Sequence, residues 1–397
     1  MKHILYIHQY FKIPQEPGGT RSYWIARKLI EHGYKVTMLT TSSSIEKNVE
    51  KKDIDGISVI YLKVPYDQKM GVLKRLISFV RFMILSTYHS YKVPNIDLVI
   101  STSTPLSVGF PALLLKKIKK IPYVFEVRDL WPEVPIQMGG VKNKLAITFL
   151  KLFEKSIYKN SLHVVALSPG MKDGVVQYID ESKVTMISNM SKIDEFWPRE
   201  RNIEMMKSFD LSPESFKVIH FGSLGLANGA KYIVEAAKIL KNNTEIVFLF
   251  VGGGSMEAEL VDFCKENELS NVKFLGRFSL KDTSEIVNFS DVSIVSFLDL
   301  PILYTNSPNK LFDSLSAAKP IIVNSAGWTK DLIEDNACGY YVNPNNPNEL
   351  VEKLLFLRSN PDIVQKMGRR SRKLAETKYD KSILCEEFAQ LIKKQAF

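Results

Sequence analysis

Lys310 and Asp313 stand three residues apart in the stretch Ser307–Asn324, which reads SPNKLFDSLSAAKPIIVN. On a helix that spacing puts an ammonium and a carboxylate on one face. If Ser307 is the N-cap and Pro308 the first helical residue, both side chains lie in or near the first turn. A helix N-terminus carries free N–H groups and partial positive charge, and so suits a phosphate. The pair could then hold a molecule bearing both phosphate and hydroxyl groups. The plainer reading is a capped surface helix with an i,i+3 ion pair.

A second set of charges falls in Phe125–Glu133, FEVRDLWPE. Glu126, Arg128, Asp129 and Glu133 there follow an apolar run that reads as a buried strand, where charge is costly unless it has work to do. Asp129 is a candidate base, or a group that orients a hydroxyl, and Arg128 a candidate anion ligand. The alternative is an Asp/Arg pair that holds a loop.

Glycines make up the third set. Gly18 and Gly19 follow Pro17 and precede Thr20, Arg21 and a helical stretch, Ser22–His32. Gly222, Ser223 and Gly225 sit in FGSLG, and Gly252, Gly253 and Gly254 in VGGG, each after an apolar run. Glycine lets backbone approach an anion or sugar closely. Arg21 could reach a phosphate or stay solvated.

These side chains need a scaffold that brings turns together, and the pattern supplies one. Short apolar runs alternate with helical stretches. Seven strands are expected in the first half: 4–8, 35–41, 57–64, 97–101, 123–127, 162–167 and 184–187. Six are expected in the second: 217–221, 246–251, 272–275, 292–297, 320–324 and 339–342. Such alternation indicates βαβ units and parallel sheets. Two series imply two doubly wound domains, with ligands at the carboxyl ends of the strands. The boundary is placed in the polar stretch 191–213.

The chain has 397 residues and a net charge of +10. Residues 1–200 hold 29 Lys and Arg against 18 Asp and Glu, a difference of +11, whereas residues 201–397 hold 24 against 25. A basic first half beside a neutral second half suggests an anionic partner for the first. Residues 72–91, VLKRLISFVRFMILSTYHSY, are apolar with Lys74, Arg75 and Arg81 interspersed. Three cations argue against a membrane span. An amphipathic helix on an anionic membrane and a core helix of a large α/β domain remain the two readings. The three cysteines stand far apart without metal or redox spacing, as expected of a reducing compartment. Only four apolar residues follow Lys2 and His3, too few for a secretory h-region, so a cytoplasmic chain is expected. No metal cluster and no nucleic-acid recognition motif stands out.

Pro17-Gly18-Gly19, FEVRDLWPE, FGSLG, VGGG and SPNKLFDSLSAAKP together resemble the retaining glycosyltransferases of family 4, over almost the whole chain. The resemblance implies the GT-B fold, two Rossmann-like domains facing across a cleft. It implies an acceptor-binding domain at 1–192, a nucleotide-sugar domain at 193–378 and a final helix, 379–397, packing back on the first. The RDLWPE form is similar to the subgroup that builds capsule and O-antigen glycans. That subgroup implies transfer of an N-acetylamino or 6-deoxy amino sugar from a nucleotide diphosphate, UDP by expectation, to a polyprenyl-diphosphate-linked acceptor. The enzyme would sit peripherally on an anionic membrane, with no cofactor, no metal and no nucleic acid.

Carried onto this sequence, Asp313 takes the place of the family's ribose-binding Glu, and Thr305 stands where its other Glu is expected. Ser223 and Asn228 replace an Arg and a Lys near the glycine turn, so Lys310, with Arg277 or Arg128, must neutralise the diphosphate. Ala318 replaces a Gly. The expected catalytic pair is Asp129 and Lys310. The expected binding set is Gly18, Gly19, Arg21, Arg128, Gly222, Ser223, Gly225, Gly253, Arg277, Ser307, Asn309 and Asp313. A nucleotide-sugar 2-epimerase of the same fold, or a non-catalytic membrane-associated partner of a transferase, are the alternatives.

Overall fold

The computed structural model describes the whole chain except Pro17 and Asp67–Lys69, and, for side chains, Val72. It divides into two compact units. The first holds residues 1–13, 19–188 and 382–397, the second 14–18 and 189–381. The chain thus changes unit between Ser188 and Asn189, ahead of the polar stretch in which the sequence places the boundary.

The first unit contains β1 (His3–Ile7), β2 (Lys35–Ser42), β3 (Val49–Ile54), β4 (Ile57–Lys63), β5 (Leu98–Thr102), β6 (Tyr123–Val127), β7 (His163–Ala166) and β8 (Val184–Met186). Their order is β3-β4-β2-β1-β5-β6-β7-β8. Among the described residues only β3 is antiparallel, paired with β4 through Ile54↔Ile57. β1, β5, β6 and β7 are buried at every residue, as parallel strands covered on both faces must be. β3 is absent from the sequence reading because VEKKDI is polar, and its outer edge needs no apolar face.

The second unit contains β9 (Phe216–Ser223), β10 (Ile246–Gly253), β11 (Val272–Gly276), β12 (Val292–Val295), β13 (Ile321–Val323) and β14 (Gly339–Tyr341). They lie in the order β11-β10-β9-β12-β13-β14, every pair parallel. One core packs β9, β10 and β12 against the helices Lys231–Ile239 and Pro347–Ser359, through Phe248, Phe250, Ile233 and Leu354 among others.

In each sheet the chain grows first to one side and then to the other. The reversal falls between β1 and β5 in the first unit and between β9 and β12 in the second. Ligand sites of open α/β sheets form outside the strand ends at such points.

Candidate active site

In the second unit the reversal is where the glycines and Lys310 meet. β9 and β10 end in register, with Gly222 opposite Gly252 and Ser223 opposite Gly253. Gly222 has φ 107° and Gly252 φ 129°, both in the region open to glycine. A Cβ on Gly252 would lie 1.9 Å from the Gly222 carbonyl oxygen, and one on Gly254 2.4 Å from the Leu224 carbonyl carbon. No other residue fits either place. One on Gly253 would meet Arg277 Nε and Glu257 Oε2 at 2.9 Å, so the Arg277 side chain lies over this turn. Gly225 packs beside Ser223 and Asn228.

The helix Asn309–Ser316 follows β12 and supplies Lys310 to the same place. Its Cε lies 3.6 Å from where a Cβ on Gly222 would sit. Nζ is 3.3 Å from His220 Nε2 and 3.2 Å from Asn228 Oδ1. Asn228, standing where the resemblance expects a Lys, accepts a hydrogen bond from Lys310. Lys310 is 8% exposed, and among the described residues no carboxylate pairs with it. Burial alone brings its ammonium down to about 7. Burial first, and the Lys310 charge second, hold His220 well below the ordinary imidazole range, so it faces Lys310 as a neutral acceptor. Lys319 is a useful contrast. It is buried too and also lowered to about 7 by burial, yet its Nζ donates to the carbonyls of Asn288 and Ser290. Lys319 is a satisfied structural lysine. Lys310 is a buried cation without a counter-charge among the described residues.

The first turn of that helix differs from the sequence reading. Pro308 occupies the N-cap position, and no side chain caps the helix. Ser307 instead accepts from the backbone N–H of Asn189 through Oγ at 3.2 Å, and from the Asn189 side chain through its carbonyl. The expected Ser cap is therefore replaced by a link to the start of the second unit. Asn309 opens the helix. Lys310 and Asp313 do not pair. The Asp313 carboxylate is 3.2 Å from Lys192 Nζ, and the residue is 6% exposed. Burial raises Asp313 to about 6, with Lys192 opposing. Asp313 thus has an internal partner in a place where the resemblance implies a ribose contact. Thr305 bonds the Ile302 carbonyl within a helical turn. Ala318 sits at φ 55° where the helix ends, which explains the family's usual Gly.

In the first unit the reversal gathers His8 at the end of β1, Ser103 and Thr104 beyond β5, and Arg128 and Asp129 beyond β6. His8 Nδ1 lies 2.7 Å from Ser22 Oγ, and Nε2 lies 3.3 Å from the Arg128 guanidinium. The Arg128 N–H donates to Ser103 Oγ at 2.9 Å. Burial, with the Arg128 charge adding, holds His8 well below its ordinary range. Asp129 is half-buried, and burial raises it to about 6 against the pull of Arg128 and Thr104. Its titration therefore lies closer to neutrality than that of an ordinary carboxylate. Four aromatic rings tie this loop to the helix Val72–Lys92. Tyr10 meets Tyr66 at 4.6 Å, Tyr66 meets Phe79 at 6.0 Å and Phe79 meets Trp131 at 5.9 Å between centroids.

Arg21 stands apart from the phosphate role expected of it. It is 2% exposed, with Nε 2.8 Å from Glu126 Oε1 and its terminal nitrogens on the carbonyls of Ile187 and Ser188. Glu126 also accepts from Thr102. Burial pulls the Glu126 carboxyl up, but Arg21 and Arg128 outweigh it and leave it below the ordinary range. Gly18, at φ 133°, falls with the second unit and Gly19 with the first; Pro17 of the expected Pro-Gly-Gly lies outside the described residues.

Two protein families account for most of the chain. The "Glycosyl transferase 4-like domain" matches residues 18–190, and "Glycosyl transferases group 1" matches residues 202–374. The protein is a glycosyltransferase of the GT-B fold. A probable glycosyltransferase of Pseudomonas aeruginosa, WbjE, is 23% identical over 338 residues, 83% of each chain. Sucrose-phosphate synthase of Thermosynechococcus elongatus superposes with a TM-score of 0.80 over 99% of both chains at 16% identity. HepE of Anabaena, solved with UDP and glucose, does so with a TM-score of 0.73 over 98% of this chain and 99% of its own, again at 16% identity. The FGSLG and VGGG turns and Lys310 lie in the group 1 domain, and Asp129 in the 4-like domain. His8, His220 and Lys192 were not expected at these sites; each reaches its neighbour through strand order or a distant ion pair, which spacing alone does not show.

Proposed function

We propose that the second unit binds a nucleoside-diphosphate sugar, UDP-linked, and that the enzyme transfers the sugar with retention of configuration. The observation that carries this reading is Lys310: a buried ammonium with no counter-charge, at the end of two glycine turns that only bare backbone fits. A diphosphate is the counter-charge that completes it. Ser223, Gly225, Asn309 and Arg277 line its surroundings, and Lys310 with the helix N-terminus would steady the negative charge that develops as the diphosphate departs.

The sugar is an N-acetylamino or 6-deoxy amino sugar, supported by the RDLWPE form of the first-unit loop. The acceptor is a polyprenyl-diphosphate-linked glycan of bacterial surface polysaccharide, met by the first unit at the membrane's inner face. Asp129 would orient the acceptor hydroxyl and take up its proton, unless a donor phosphate oxygen does so; Arg128 would hold an acceptor phosphate.

The test is a panel of nucleotide sugars offered with a short-chain polyprenyl-diphosphate sugar and read by mass, with the product anomer assigned by NMR. UDP at a hundred times its Kd should stabilise the fold by about 2.7 kcal/mol. Absence of any UDP stabilisation removes the donor assignment. Transfer to soluble acceptors alone removes the acceptor assignment, and an inverted anomer removes retention.

A further inference from the structure

The helix Val72–Lys92 buries Phe82 and several hydroxyls, and carries a second apolar face outward. Its buried residues include Ser78, Ser86 and Ser90, whose hydroxyls donate to carbonyls of Pro65, Met83 and Thr87. Its exposed residues include Leu73, Leu76, Ile77, Val80, Ile84 and Tyr88. These recur at helical spacing and form one stripe. Ile84 is 59% exposed. A helix that hides hydroxyls and shows leucines is amphipathic toward something other than its own sheet.

The helix Lys144–Asn160, which buries Ile157 and Tyr158, also carries an apolar face outward. It buries Glu154, which accepts from Tyr158, and exposes Leu145, Phe149 and Leu152 at i, i+4 and i+7. Leu145 is 82% exposed and Phe149 68%. The helix Gly109–Lys119 lies between the two, packed on both. It ends with Ile118 exposed among lysines.

Across the three helices there are eleven Lys and Arg and one carboxylate, the buried Glu154. Two apolar stripes set in a surplus of positive charge, with Lys151 paired to Glu133 at 3.3 Å, match one surface: acyl chains below anionic headgroups. A second copy of this chain would bring the same cations against themselves. No described helix is long and apolar enough to cross a membrane.

We infer that the stripes of 72–92 and 144–160 form a two-helix face that seats the first unit on an anionic lipid bilayer. The lysines and arginines draw the protein to the headgroups, and the exposed side chains enter the acyl boundary. Both helices act together. This deepens the membrane reading above and rests on it.

The experiment is flotation of the full chain with phosphatidylcholine vesicles, with and without phosphatidylglycerol, at low and high salt. Wild type should float with the anionic vesicles at low salt and at least tenfold less with the neutral ones. Leu76→Glu with Ile84→Glu should lower flotation at least tenfold, and so should Leu145→Glu with Phe149→Glu. Lys74, Arg75 and Arg81 replaced by Glu should do the same. Ile84→Trp and Phe149→Trp should each be quenched by lipids brominated near the headgroup, which reports insertion even if a charged variant folds poorly. Equal flotation of both glutamate pairs with wild type overturns the face while leaving membrane binding intact. No quenching at either tryptophan overturns insertion. A dimer in solution that either glutamate pair disperses assigns the stripes to a second copy and overturns the proposal. Transfer to the short-chain acceptor is measured in parallel. Flotation through these stripes without such transfer sinks the acceptor assignment alone.

Discussion

The two sheet ends treat charge in opposite ways. In the first unit Arg21 and Glu126 neutralise each other in the core, and the Arg21 guanidinium also holds the carbonyls that follow β8. In the second unit the buried lysine at the same kind of topological position has only a neutral imidazole and an amide oxygen for company. The first arrangement is closed and braces the fold. The second has no anionic partner among the described residues. A buried charge is therefore no sign of a site by itself; the sign is a buried charge whose partner is missing.

Breaking the braced side should give the largest effect. Arg21→Met leaves Glu126 buried and unpaired, and should cost about 3–5 kcal/mol in urea unfolding. Arg21→Met with Glu126→Gln should recover a good part of that. A loss below about 1 kcal/mol would mean that the pair braces nothing.

Lys310→Ala tests the open side and should do the reverse. It removes a charge the fold itself does not need, so stability at pH 6 should hold or rise. Turnover should fall by about 10²–10³. The sign of the pH effect follows from the lowered value of about 7. Above that pH the folded protein has lost the Lys310 proton, and a bound diphosphate must bring it back. UDP affinity in wild type should therefore fall as pH rises above 7, approaching tenfold per unit, with proton uptake seen as a buffer-dependent binding enthalpy. The Ala variant should lose both effects. An unchanged profile in the variant would move the diphosphate elsewhere.

Asp313→Asn gives the smallest effect and decides which class its carboxylate joins. If it belongs with the internally paired charges, stability falls by about 1–2 kcal/mol and UDP affinity stays within about threefold. The Lys192 contact favours that outcome. A tenfold loss of UDP affinity with stability intact would place Asp313 on the ribose.

Much of this was legible in the residues. All thirteen expected strands are present, because parallel strands buried on both faces leave continuous apolar runs. The glycine turns and Lys310 were legible because their roles depend on local backbone. Partnerships were not. Arg21 finds Glu126 105 positions away and Ser188 167 away, and no local pattern marks such a meeting. β3 is readable in part: Asp55-Gly56, both at positive φ, is a two-residue hairpin turn between Ile54 and Ile57, but the polar strand before it shows no apolar run.

The ring chain Tyr10–Tyr66–Phe79–Trp131 gives the first unit a mechanical property. Phe79 belongs to the helix Val72–Lys92 and Trp131 to the loop that carries Arg128 and Asp129. Edge-on ring pairs add attraction beyond their buried area, so the Phe79–Trp131 contact holds the helix to the loop. The helix that carries the exposed stripe is thereby joined, ring to ring, to the loop that holds the Asp129 carboxylate.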